Sequence, residues 1–289
     1  MDVDLAQLRA LEATVTAGTL DGAARALHVT PSAVSQRLKA LESAVGRLLL
    51  VRSRPVQVTP SGEVLLRLAR QVELLVADAA RDLEITDGGG LLAVPIAVNA
   101  DSLATWVLPA LAPLAGEFAF DLHREDQEHT ADLLRTGRVL AAITAESRPL
   151  PGCTVRRLGR MRYRPMATAA FVRRWFPAGP TAEALARAPV VIFDRKDDLQ
   201  HGYLRARSVD PADLPVHVVP ASAEYVTAVR LGLGWGMLPD QQEPPGELVP
   251  LDPAGAVEVE LFWQQWKLRS PSLDRVADAV LAAAHRDLG

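Results

Sequence analysis

The chain is poor in the residues that carry redox and metal chemistry. Its 289 residues include one cysteine, Cys153, which excludes an internal disulfide and any cysteine-based metal cluster. A small buried apolar residue is the ordinary reading of such a lone thiol. No apolar run reaches the roughly eighteen residues that a membrane-spanning helix needs. Aromatic residues are missing from the first hundred positions: the five Trp, three Tyr and six Phe all lie from Trp106 onward. A compact helical module built on Ala, Leu and Val is therefore expected to be joined to a different kind of fold. Catalytic signatures are lacking as well, with no G-x-S-x-G elbow, no H-E-x-x-H and no G-x-x-x-x-G-K. Gly232-Leu233-Gly234-Trp235-Gly236 lies between a helical and a strand pattern. That is the reverse of the order a dinucleotide loop requires, and it reads as a tight turn. His123, His129, His201 and His217 show no metal-ligand spacing. No enzyme, cofactor or metal is expected. Asp2 and Asp4 precede an amphipathic pattern rather than a charged-then-apolar leader, which places the chain in the cytoplasm as an expectation.

Against these absences stands residues 19–46, which read as two short helices joined by a tight turn. Ala23, Ala24 and Leu27 share one apolar face, and Val34, Leu38 and Leu41 recur at the spacing of a second buried stripe. Thr19 and Thr30 stand where N-caps belong, and Pro31 falls at a first helical position, where its missing N–H costs nothing. An earlier stripe, Leu5, Leu8, Leu11 and Val15, supplies a third helix. Residues 48–58 follow as a strand-like wing. Between positions 22 and 58 the basic residues Arg25, Arg37, Lys39, Arg47, Arg52 and Arg54 face one acid, Glu42, in a chain of net charge -4. The positive patch is therefore local, as phosphate binding requires. Ser32, Ser35, Gln36, Arg37 and Lys39 lie off the buried stripe. Gln36 suits adenine, and Arg37 suits guanine or a phosphate. The alternative is a generic helical hairpin with a solvated charged face.

The order of helix-turn-helix, wing with Arg52, and Val58-Thr59-Pro60-Ser61-Gly62-Glu63 resembles the LysR-type transcriptional regulators. The likeness is nearer to the branch that responds to lysine and arginine and controls basic-amino-acid export. It is carried by residues 30–42, by Arg52-Ser53-Arg54-Pro55, and by Asn99-Ala100-Asp101-Ser102-Leu103-Ala104-Thr105-Trp106, and it covers essentially the whole chain. The chain departs from the pattern at Pro31, where many members carry a polar base-reading residue. The resemblance implies a double-stranded DNA partner, self-association as a homodimer or homotetramer, and a small-molecule effector. It places Ser32, Ser35, Gln36, Arg37 and Lys39 on DNA, with Arg52 and Arg54 on flanking phosphates or the minor groove.

Thr59 and Pro60 repeat the earlier cap, so a new helix is expected from residue 60. Leu65, Leu68, Val72, Leu75 and Ala79 then form a heptad seam, suited either to a dimerising linker helix or to packing on its own domain. Asp87-Gly88-Gly89-Gly90 breaks it. Beyond the break, strand patterns at 92–98, 118–123, 139–144, 189–193, 216–219 and 235–238 alternate with helical patterns at 102–114, 129–136, 223–231 and 271–285, which argues for α/β units with parallel sheets. The resulting reading is a winged helix-turn-helix over 1–59, a linker helix over 60–86 and an effector-binding domain over 87–289. From the resemblance, that last domain has two α/β lobes built like bacterial solute-binding proteins, lobe I over about 91–160 and 265–289 and lobe II over about 161–264.

Ligands of such sheets bind beyond the carboxyl ends of strands. Asn99, Asp101 and Ser102 stand where the first strand gives way to a helix, and Ser102 with the free N–H groups there can hold an α-carboxylate. Glu125 and Asp126, Thr144 with nearby Glu146, and Asp194 stand at other strand ends. A carboxylate cluster there suits a cationic side chain, consistent with lysine or arginine as effector; the alternative is solvated loop acids or N-caps. Two other readings remain: an effector-independent architectural or replication-blocking DNA binder, and a solute receptor. The receptor reading leaves residues 19–58 unexplained.

Overall fold

A computed structural model describes residues 3–51, 53–85, 91–124, 127–195, 198–242 and 246–288. The amino-terminal module packs helices α1 (Leu5–Ala17), α2 (Leu20–Ala26) and α3 (Pro31–Val45) beside a hairpin of β1 (Leu50–Val51) and β2 (Gln57–Val58). Each helix starts at a side-chain cap: Asp4 accepts from Ala6 N, Thr19 from Gly22 N and Thr30 from Ala33 N. These bonds satisfy amide groups that the first turn leaves without helical partners. Leu8, Leu11, Val34, Leu38 and Leu41 form the core with Leu49, Leu65 and Ala69. Each fully buried leucine contributes about 1.5–3 kcal/mol.

Helix α4 (Pro60–Asp82) begins at the Thr59 cap, and the Thr59 hydroxyl reaches the carbonyls of Leu48 and Leu49. Gly62 is required by this crossing. A Cβ there would lie 2.1 Å from the Leu49 carbonyl oxygen and 2.7 Å from Val58 Cγ1. Gly62→Ala is expected to cost about 1–3 kcal/mol, read as an earlier midpoint in urea unfolding. The heptad seam divides along this helix. Leu65 is buried in the amino-terminal core, and Leu68 and Val72 pack half-buried against it, whereas Leu75 is 40% exposed. The upper seam is thus spent on its own domain, because α4 must also close the core that α1 opens. An aliphatic edge stays open at Val64, Leu75, Val76 and Leu83.

The remaining chain builds β3 (Leu92–Val98), α5 (Ala100–Ser102), α6 (Leu108–Leu111), β4 (Phe118–Arg124), α7 (Gln127–Arg135), β5 (Ala141–Thr144), β6 (Cys153–Ala167), α8 (Ala169–Trp175), α9 (Ala182–Leu185), β7 (Val190–Ile192), α10 (Leu199–Arg205), β8 (Val216–Val218), α11 (Ser222–Arg230), β9 (Gly236–Pro239), β10 (Val249–Pro250), β11 (Val257–Trp266) and α12 (Pro271–Asp287). Between α5 and α6 the helical run loosens to a π-helical turn over Leu103–Val107, and after α6 it tightens to 3₁₀ over Ala112–Leu114. Pro109 and Pro113 remove the amide donors that regular α turns would use there.

The sheets are mixed rather than simply parallel. β3 pairs in parallel with β4 and β5, but β11 runs antiparallel to both β5 and β6. The 15-residue β6 joins two lobes. Its first part pairs with β11, and its last residues pair with β9 and β10. β7 and β8 form a parallel pair in the second lobe, joined to β9 by a bridge from Val190 to Trp235. Cys153 is half-buried, and burial pushes its thiol up to about 11, which keeps it an unreactive thiol at neutral pH.

Helix α4 is fastened to the first lobe at two places. Near its end, Asp78 accepts from the Ser270 and Ser272 hydroxyls and from Ser272 N at the start of α12, and Arg81 pairs with the same carboxylate at 3.2 Å. Nearer its start, Arg67 reaches the last residue of α7 and Arg70 the segment that follows it. Among the described residues no helix is long and apolar enough to cross a membrane.

Candidate functional site

The outer face of α3 carries Ser32, Gln36 and Lys39 exposed, with Ser35 and Arg37 half-buried beside them. The periodicity that sinks Val34, Leu38 and Leu41 leaves Ser32, Gln36 and Lys39 on the opposite side, with Ser35 on one flank of the buried stripe and Arg37 on the other. Arg25, Arg47 and Arg54 are exposed around them. Among the described residues, the side chains of Gln36, Arg37, Lys39 and Arg54 make no hydrogen bond or ion pair, so their donors are uncommitted within the fold. Arg52 lies outside the described residues. The acid of this basic segment is engaged within the fold: Glu42 Oε1 accepts from Leu49 N at 2.9 Å and fixes the start of the wing. A groove of about 870 Å³ separates α3 from α2 and the wing, with Arg25, Ser35, Lys39 and Arg54 among its walls. A rod of major-groove size thus stands beside flanking cations.

The second constellation lies at the carboxyl ends of β3 and β5. The parallel register pairs Ala97 with Ala142, which brings Asn99 level with Thr144. Ser102 and Thr144 are buried, and Asn99 and Asp101 are half-buried as whole residues, the Asp101 carboxylate itself being withdrawn from water. Asn99 Oδ1 and Ser102 Oγ are buried without a hydrogen-bond partner. The Thr144 hydroxyl accepts from Glu146 N at 3.1 Å and keeps a proton to donate. Buried polar atoms left unpaired carry a cost of about 1–3 kcal/mol each, which a ligand of matching polarity removes.

Asp101 is the centre of this site. It accepts from the Tyr163 hydroxyl on β6 at 2.9 Å and from the Ser222 hydroxyl on α11 at 3.1 Å, and Gln242 Nε2 donates to the same Ser222 oxygen at 2.8 Å. One carboxylate from the first lobe therefore binds the second lobe. Burial raises the Asp101 pKa, and the two hydroxyl bonds offset part of that rise. Arg124, the last residue of β4, also crosses between lobes, donating to Pro220 O at 3.2 Å and lying 5.8 Å from the Phe193 ring centroid.

The structure thus brings together four of the residues expected at an effector site, Asn99, Asp101, Ser102 and Thr144. Asp194 stands half-buried just beyond β7, and Glu125 and Asp126 lie outside the described residues. Tyr163, Ser222, Gln242 and Arg124 join the site without having been expected there. Tyr163 falls within the stretch where the chain passes between lobes, the one sequence signal that pointed toward it.

A winged helix-turn-helix, carried on a helix against two α/β lobes that meet at a cluster of buried polar groups, defines a small-molecule-responsive DNA-binding regulator. Residues 5–63 match the family described as "Bacterial regulatory helix-turn-helix protein, lysR family", and residues 93–285 match "LysR substrate binding domain". The chain belongs to the LysR family, and its activity is transcriptional regulation rather than catalysis. It is 41% identical over 287 residues to the "Lysine export transcriptional regulatory protein LysG" of Corynebacterium glutamicum, covering 96% of this chain and 97% of that protein. The crystal structure of ArgP from Mycobacterium tuberculosis is similar with a TM-score of 0.84 at 43% identity, covering 98% of each chain. Full-length LysG from Corynebacterium glutamicum with bound effector Arg is similar with a TM-score of 0.74 at 39% identity, covering 98% of this chain and 99% of that one.

Proposed function

We propose that this regulator senses a basic amino acid, lysine or arginine, held between its two lobes, and acts on DNA in the cytoplasm as a dimer or tetramer. The observation that carries the reading is Asp101, a buried carboxylate whose present partners are two neutral hydroxyls from β6 and α11. A buried carboxylate gains most from a cation, so the ammonium or guanidinium of the effector is the matching group. Ser102, Asn99 and Thr144 beside it suit the polar backbone atoms of a free amino acid, and Glu125, Asp126 and Asp194 are assigned to the cationic end. The arginine bound in the Corynebacterium glutamicum LysG structure, and that protein's name as a lysine-export regulator, support the same class of ligand.

The DNA-binding residues are Ser32, Ser35, Gln36, Arg37 and Lys39, flanked by Arg52 and Arg54. The domains run over 1–59, 60–86 and 87–289. The open aliphatic edge of α4 supports twofold pairing, since a single helix-turn-helix reads few base pairs and a dimer doubles the site. Effector binding then shifts the balance between two arrangements of the pair by its unequal affinity for them.

Thermal melts across the twenty proteinogenic amino acids test the ligand assignment. A ligand at one hundred times its Kd stabilises the fold by about 2.7 kcal/mol, so lysine, arginine or both are expected to raise Tm while aspartate and glutamate leave it unchanged. Stabilisation by an acidic or apolar amino acid alone contradicts the assignment. No response to any of the twenty favours the effector-independent DNA binder.

A further inference from the structure

We propose that Arg70 is the residue through which the state of the effector cleft reaches the DNA-binding module. The inference rests on the effector-responsive reading above and adds the route. Arg70 leaves the middle of α4 and is nearly enclosed, with 10% of its side chain exposed. Its guanidinium serves two parts of the molecule beyond the helix that carries it. Nη1 donates to Gly137 O at 2.8 Å and to Arg138 O, both in the segment after α7. Nη2 lies 3.5 Å from Thr16 Oγ1, and Nε lies 3.7 Å from Glu12 Oε1, both on α1 of the DNA-binding module. One planar group thus joins the first helix of that module, the linker helix and the effector domain.

The contact is built for rigidity on the effector side. Gly137 has φ +74, and a Cβ there would stand 2.4 Å from Arg67 Cβ and 2.6 Å from Arg67 Cα, so backbone lies directly on backbone. One turn before Arg70, Arg67 reaches Arg135 O at 3.4 Å and stacks 4.8 Å from the Trp266 ring centroid. The two arginines hold the carboxyl end of α7, where carbonyls lack helical partners and the helix dipole is negative. The same segment then enters β5, whose four residues are all buried and whose last residue, Thr144, lies in the cleft. The path from Arg138 to Thr144 is about 20 Å of extended chain. The other end of α7 begins at Gln127, close in sequence to Arg124, which bridges the lobes. On this route, movement at Thr144 is carried along β5 to the carbonyls that Arg70 holds.

The DNA-binding side of the contact is looser. Nε of Arg70 is buried with no hydrogen-bond partner, and its distance to Glu12 exceeds hydrogen-bond length. Glu12 also accepts from Thr16 at 2.7 Å. A shift of about half an ångström in either side chain closes the Arg70–Glu12 bond. Coupling requires an element with two arrangements that both sites bias, and the open Arg70–Glu12 contact is assigned as one of them.

The test uses the full chain and a duplex recovered by selection from a random pool. Three quantities are measured for the parent, Arg70→Ala and Glu12→Gln: affinity for L-lysine and L-arginine by calorimetry, affinity for duplex without effector by anisotropy, and the effector-induced change in duplex affinity. Couplings of ordinary strength change affinity about 5–150-fold. Arg70→Ala is expected to bind effector and duplex separately within about threefold of the parent while losing most of the effector-induced change, a pattern that loss of stability alone does not give. If Arg70→Ala fails to fold, the half-exposed Glu12→Gln carries the test, with the same expected loss of coupling. Full retention of the effector-induced change in both variants overturns the role of Arg70 and leaves the effector assignment standing. A parent that binds neither lysine nor arginine overturns the effector assignment, and the route with it.

Discussion

Arg37→Ala is expected to weaken binding to a selected duplex about 5–150-fold for each protomer engaged, the range of a lost base or charged phosphate contact. The reason is local. Val34, Leu38 and Leu41 hold α3 by its inner face, and Arg37, half-buried at the flank of that face, has no hydrogen-bond or ion-pair partner among the described residues, so its removal leaves the buried stripe of the module in place. Salt dependence separates the two roles that Arg37 can play. Loss of a phosphate contact lowers the slope of log K against log[salt] by about one and weakens all sequences alike, whereas loss of a guanine contact leaves the slope and relaxes the preferred sequence. Lys39→Ala is expected to follow the phosphate pattern, because its single ammonium lacks the forked geometry that reads a base. Wild-type affinity in Arg37→Ala, with an unchanged melting temperature, removes α3 from the interface.

Asp101→Asn is expected to act in opposite directions on ligand and fold. Removing the carboxylate leaves the effector's cation in a buried site without its counter-charge, at a cost of about 3–5 kcal/mol; calorimetry then shows binding of lysine and arginine weakened beyond a hundredfold. The effector-free protein responds the other way. Burial raises the Asp101 pKa above its ordinary value, so the folded state holds the proton more tightly than the unfolded chain does. The resulting penalty is absent below the unfolded pKa, grows as pH rises through the window between the two values, and is complete above the folded one. The asparagine amide keeps hydrogen bonding to Tyr163 and Ser222 and never ionises. In urea melts Asp101→Asn is therefore expected to match the parent at acid pH and to exceed it at neutral pH. Equal pH dependence of the two proteins contradicts a buried, ionising Asp101.

Local features of the fold were legible where local chemistry dictates them. Thr19, Thr30 and Thr59 each cap the helix that the sequence places after them, and Pro31 and Pro60 each open one. The strand expected over 92–98 is β3 to the residue. Legibility fails where the determinant is distant. β6 carries Arg156, Arg157, Arg160, Arg162 and Arg164, and its alternation is broken where the pairing with β11 shifts register between Leu261 and Phe262; its period is therefore obscured, and with it the antiparallel half of the sheet. The seam on α4 was legible as a repeat, but the repeat does not say which of its members the α1 core will claim. The cleft was legible only from its first-lobe side. Asp101 meets Tyr163 and Ser222 across 62 and 121 residues, and nothing in the spacing of a chain records such a meeting. The Arg70 contact, joining α4 to carbonyls 67 residues away, is hidden for the same reason, since backbone carbonyls leave no mark in the sequence.

Footprinting of a selected duplex, with and without lysine and arginine, bears most directly on the claim that this is a DNA-binding module governed by a cationic amino acid. The expected pattern is a pair of protected half-sites about one helical turn or a multiple of it apart, whose extent or spacing changes with lysine or arginine and stays fixed with glutamate. Protection without sequence preference, or a pattern indifferent to every amino acid, contradicts the account.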